Sequence, residues 1–106
     1  MKFLILTKPL PGAPRPENPV AVSRASKEWI NARLADGSVD CTYNVIGSKQ
    51  GIDGVAIANA DSHEALVEQI LSWPAYAFYD FEILPLSDLD HFLGKAIEMM
   101  QKSMGG

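Results

Sequence analysis

Five of the seven prolines fall between Pro9 and Pro19, and no other feature of the chain restricts its fold as much. Proline fixes φ and has no backbone N–H to donate, so this stretch can be neither a helix nor a central strand. It isolates the residues before it. Residues 2 to 8 are a short apolar run stopped by proline, which predicts a strand buried on both faces.

Beyond the prolines, Asn18-Pro19 reads as a helix opening, with asparagine as the cap and proline at the first helical position, where no amide is wasted. The helix is expected to run to about Asp36, with Gly37 as its stop and Val22, Ala25, Trp29, Ile30 and Leu34 on its apolar face. Residues 39 to 46 then alternate. Val39, Cys41, Tyr43 and Val45 are expected on one side, and Asp40, Thr42, Asn44 and Ile46 on the other. A glycine-bounded turn from Gly47 to Gly51 leads to a third segment, residues 54 to 58, which is apolar on both faces and reads as a central strand.

Asp61-Ser62-His63-Glu64 has the form of a capping box with Asp61 as the cap. It opens a second helix whose stripe is Leu66, Val67, Ile70, Leu71 and Trp73, ended by Pro74. Residues 77 to 84 read as a strand with Phe78, Asp80, Glu82 and Leu84 on one face and Tyr79, Phe81 and Ile83 on the other. Ser87-Asp88-Leu89-Asp90 repeats the capping pattern before a last helix, whose wide, methionine-rich apolar arc includes Phe92, Leu93, Met99 and Met100.

The order of elements is βαββαβ with a C-terminal helix, and the predicted fold is an α+β ferredoxin-like sandwich with a four-stranded antiparallel sheet. One domain spanning residues 1–106 is expected, since a chain of this length supports one core. Strands 1 and 3 fall at the sheet centre. Two helices cover only one face of that sheet, so the other apolar face and the arc of the last helix predict a homo-oligomer, a dimer or a larger ring.

The net charge is −4 and the nine basic residues are scattered, so there is no basic stripe for nucleic acid. The N-terminal apolar run is too short for a secretory signal or a membrane span, and a cytoplasmic, non-membrane protein is expected. Cys41, the single cysteine, reads as a small buried hydrophobe. No pair or trio of His, Cys and acids has metal-ligand spacing, and no glycine-rich phosphate loop links a strand to a helix.

Asp80 and Glu82 are two apart on one strand and therefore share a face, close enough for both to act on one small molecule. They are the candidate acid/base groups, Glu82 ahead of Asp80. Charges on an edge strand also serve simply to discourage unwanted pairing. Ala56 and Ala58 leave room above the third strand for a cavity. Asp40, Thr42 and Asn44 from the second strand, and Tyr79 from the fourth, are the candidate substrate-binding walls, depending on which face each strand turns inward. His63 and Arg33 fall on apolar helix faces, where local backbone bonding and snorkelling account for them.

Ser62-His63-Glu64-Ala65-Leu66, the stretch from Trp73-Pro74 to Ile83, and Lys27-Glu28-Trp29 leading to Arg33-Leu34 and Gly37 together resemble the muconolactone isomerase family. The glycine bracket from Gly37 to Gly47 has the family's spacing. The resemblance implies a ferredoxin-like dimeric α+β barrel, intimate dimers that build rings, and a reaction without metal or organic cofactor that moves a proton between carbons of an unsaturated lactone. It also marks a difference. Where the family carries tryptophan, arginine and histidine on the second strand, this chain has Val39, Asp40, Cys41, Thr42 and Asn44. A less acidic lactone or related carbonyl compound is therefore the expected substrate. The competing readings are a noncatalytic oligomeric small-molecule-binding or accessory protein and a cofactor-free monooxygenase of the same barrel type.

Overall fold

The computed structural model describes residues 1–105, and its elements follow the expected order. Strand β1 spans Lys2–Pro9, helix α1 Pro19–Asp36, β2 Val39–Asn44, β3 Gly54–Asn59, α2 His63–Leu71, β4 Tyr79–Leu86 and α3 Leu89–Ser103. The four strands form one antiparallel sheet in the order β2-β3-β1-β4, with β1 and β3 central. This is a ferredoxin-like α+β sandwich.

Several local signals act as read. Asn18 Oδ1 accepts from the Ala21 N–H at 3.0 Å, and Gly37 ends α1 at φ 82°, the left-handed conformation that favours glycine. At α2 the cap is Ser62, one residue later than expected: its hydroxyl accepts from the Ala65 N–H at 3.1 Å. A serine hydroxyl caps as well as an aspartate, so the shift costs the helix nothing in capping chemistry. Strand β4 begins at Tyr79 because a 3₁₀ turn occupies Tyr76–Phe78, and it runs two residues further than the alternation predicted, to Leu86.

One correction changes which side chains meet. On β2, Val39 pairs with Ala58 and Cys41 with Ile57, so Asp40 is an extra residue at a β-bulge. Strict alternation would separate Val39 from Thr42. The bulge instead turns Val39, Thr42 and Asn44 toward the helices, opposite Ala58, Ala56 and Gly54, and sends Cys41 and Tyr43 to the other face. Cys41 is accordingly only half-buried.

The core lies between the sheet and the helices. Phe3, Ile5, Val39 and Ala58 from the sheet pack with Leu66 and Ile70 of α2, and Ile30 of α1 borders them. The helices are joined by Trp29 Nε1, which donates to Ser72 Oγ at 3.0 Å. Of the predicted face of α1, Val22, Ala25, Trp29 and Ile30 turn inward while Leu34 is exposed, its place taken by Arg33, whose guanidinium lies over the Trp29 ring.

The opposite sheet face carries Leu4, Leu6, Val55, Ile57, Leu84 and Leu86, and no layer covers it among the described residues. Helix α3 does not fold back to cover it. Phe92, Leu93, Ile97, Met99 and Met100 are all exposed, and the radius of gyration is 17.8 Å, against about 13 Å for a chain of this length folded into a ball. The projecting helix gives the chain extents of 65 × 32 × 22 Å.

Candidate active site

A cavity of about 430 Å³ opens between the sheet and the two helices, over the small residues Gly54, Ala56 and Ala58 of β3. Small side chains on a pleated surface leave the volume that larger ones would fill, and this volume suits a small organic ligand. Trp29, Ile30, Ile70, Trp73 and Phe81 make most of the wall apolar. Trp73 also packs on the Tyr79 ring at 5.0 Å, which fixes the tyrosine at the cavity's edge.

The inward phase of β4 brings Tyr79 and Phe81 to the cavity and places Asp80 and Glu82 on the outer face of the sheet. Both carboxylates are exposed in the single chain. They border a second hollow of about 300 Å³ with Leu6, Lys8, Gln50 and Ile52, which β3 does not line. Asp80 and Glu82 thus do not meet the cavity above Ala56 and Ala58.

Of the other expected residues, Thr42, Asn44 and Tyr79 line the helix-side cavity. The Thr42 hydroxyl donates to the Val55 carbonyl at 3.1 Å, so it faces a ligand chiefly as an acceptor. Asp40 lies elsewhere. It accepts from Lys2 Nζ and from Asn59 Nδ2 at the end of the sheet, and these partners, Lys2 first, hold its carboxyl below the usual carboxylate range.

Asp53, which the sequence reading passed over, is the one carboxylate lining the cavity among the described residues. Thr7 Oγ1 donates to Asp53 Oδ1 at 2.9 Å, the Asp53 N–H donates to the Thr7 carbonyl at 2.9 Å, and the Val45 N–H donates to the Asp53 carbonyl at 2.8 Å. Burial pushes the Tyr79 phenol above its ordinary pKa, and the neighbouring Asp53 adds to the shift through its charge and through hydrogen bonding. A phenol so placed stays protonated at neutral pH. The Ser26 hydroxyl oxygen, also in the wall, is shielded and has no hydrogen-bond partner among the described residues.

Asp53 was hidden by its neighbours. An Asp-Gly pair just after a glycine turn is an ordinary turn signal, and only the pairing of β1 with β3 brings Thr7 beside it. Among the described residues, no group of three or more His, Cys, Asp and Glu side chains could hold a metal, and no helix is long and apolar enough to cross a membrane.

Fold and cavity together define a ferredoxin-like α+β protein with a largely apolar small-molecule-sized site on the helix side of its sheet. No protein-family model matches the sequence, and no curated protein does. Among solved structures, muconolactone isomerase superimposes with a TM-score of 0.68 at 19% identity, over 83% of this chain and 90% of that one. A 5-chloro-2-hydroxyhydroquinone dehydrochlorinase from Burkholderia phenoliruptrix AC1100, in complex with 2,5-dihydroxybenzoquinone, superimposes with a TM-score of 0.55 at 15% identity, over 86% of this chain and 98% of that one. At these identities the likeness is one of fold.

Proposed function

We propose that this chain is a cofactor-independent enzyme of the isomerase type, which moves a proton within a small unsaturated lactone or related carbonyl compound. The observation that carries this reading is the mostly apolar cavity with a single carboxylate and a protonated phenol at its wall. Proton transfer beside a carbonyl requires an acid/base group and a donor to the oxygen where charge develops, and an apolar surround strengthens both. Both structural neighbours named above are enzymes of small organic molecules, which agrees with such a role. Thr42, Asn44 and Tyr79 are the proposed substrate-binding walls.

The assembled protein is proposed to be a homo-oligomer in which a second copy covers the outer sheet face and the apolar arc of α3. Each large apolar side chain buried there would contribute about 1.5–3 kcal/mol. A second reading keeps Glu82 and Asp80 as acid/base groups. The hollow they share with Lys8 favours it, because a partner subunit closing over that hollow would desolvate them.

Proton NMR of unsaturated lactones incubated with the protein in heavy water tests the proposal. Protein-dependent exchange of protons beside the carbonyl, or migration of the double bond, is expected. Oxygen consumption on adding the same compounds would instead support a monooxygenase, and tight binding without any exchange a noncatalytic role.

A further inference from the structure

We infer that Asp53, oriented by Thr7 and sharing the cavity wall with Tyr79, is the acid/base group of the helix-side cavity, and that its substrate is electrically neutral. This rests on the proposal that the cavity performs proton transfer. It replaces the outer-face carboxylates with a different residue, on the other side of the sheet.

The geometry favours Asp53 in three ways. Its backbone is pinned by two hydrogen bonds, to β1 through Thr7 and to the end of β2 through Val45. Thr7 Oγ1 engages Oδ1 at 2.9 Å, which leaves Oδ2 for the phenol or for a ligand. Thr7 can take that position because residue 54 is glycine: a Cβ there would lie 2.6 Å from Thr7 Oγ1. The carboxylate is thus held on the sheet's framework instead of on a free loop, as an acid/base group needs.

Tyr79 supplies the second function. Asp53 takes a proton from the carbon beside the substrate carbonyl, and the C–H electron pair becomes a C=C bond as negative charge moves to the carbonyl oxygen. The Tyr79 O–H donates a hydrogen bond to that oxygen without giving up its proton. The Asp53 carboxyl then returns its proton to the far carbon of the conjugated system, and the C=O bond re-forms. Atoms and charge are those of the starting compound, with the double bond moved.

The substrate class follows from the charges in the wall. Asp53 is the one acid there, and Lys27 on α1 is the one fixed cation among the described residues, so the site lacks the cluster of cations that an added carboxylate on the substrate would need. Trp29, Trp73 and Tyr79 offer flat apolar surface instead. A neutral, planar unsaturated lactone fits both features.

The test uses α-angelica lactone, a neutral β,γ-unsaturated lactone, as substrate and saturated γ-valerolactone as a binding probe. Wild-type protein is expected to exchange the lactone's protons with heavy water, and Asp53→Asn to lower that rate about 100-fold or more. The Asn variant keeps an acceptor for Thr7 and is expected to bind γ-valerolactone as the wild type does, read from shifts of the tryptophan indole resonances. Exchange that survives Asp53→Asn, or that is lost in Glu82→Gln, overturns the inference while leaving the proton-transfer reading in place. No exchange by the wild-type protein overturns that reading, and this inference with it.

Discussion

Thr7 and Gly54 are cross-strand partners on the central pair β1 and β3, and the Thr7 hydroxyl occupies space that any side chain at residue 54 would claim. Gly54→Ala is expected to force the hydroxyl out of its bond to Asp53 and to cost about 1–3 kcal/mol of stability through overpacking. In a Thr7→Ala background, where the blocking atoms are gone, the same substitution is expected to cost less. A double-mutant cycle by denaturant unfolding measures the difference, and equal costs in both backgrounds would show that the contact does not matter.

Thr7→Val removes the bond to Asp53 Oδ1 while keeping the side chain's shape. Thr7 is a positioning residue in this scheme, so kcat is expected to fall by about tenfold, roughly the worth of one ordinary hydrogen bond, with KM little changed. A rise in KM alone would assign Thr7 to uniform substrate binding.

The Tyr79 phenol has its pKa raised above 10.0, by burial first and by Asp53 second. A folded-state value above the unfolded one means that the neutral phenol stabilises the fold fully below pH 10 or so, and that this contribution is lost as pH rises through the folded value. Phenolate absorbance is expected to show a late-titrating tyrosine that is absent in Tyr79→Phe. Asp53→Asn is expected to move that titration to lower pH. An unmoved curve would mean that the carboxylate does not act on the phenol.

Lys2, Asp40 and Asn59 tie three strands together at one end of the sheet, with Lys2 Nζ also donating to Asn59 Oδ1 at 2.9 Å. The Asp40 pKa is held below 3.8, so its contribution is present above that pH and is lost as pH falls through the lowered value. Asp40→Asn is expected to be less stable than wild type at neutral pH, with the gap closing in acid and narrowing in high salt. Denaturant titrations across pH 2 to 7, a range that brackets the ordinary carboxylate value, check it.

A chain ended after Leu86 lacks α3 with Phe92, Leu93, Ile97, Met99 and Met100. If those side chains hold subunits together, light scattering is expected to show a defined oligomer for the full chain, and weaker assembly or aggregates for the shortened one. A folded monomer of the full chain at micromolar concentration would contradict the proposed assembly.

The order of the elements was legible in the sequence because its signals are local. Prolines cannot continue β1, Asn18 and Gly37 bound α1 by backbone chemistry, and the apolar runs of β1 and β3 predict their central places. The space over Ala56 and Ala58 could also be read, since side-chain size is a property of the residue alone. The facing of polar residues could not. One extra residue at Asp40 reverses the remainder of β2, and the phase of β4 decides whether Tyr79 or Glu82 sees the cavity. Asp53 looked like part of a turn, and it reaches the wall only because the register of β1 against β3 sets Thr7 opposite Gly54. Local patterns fix where strands and helices form, but a site drawn from all four strands depends on register and on bulges, which are settled by the packing of the whole sheet.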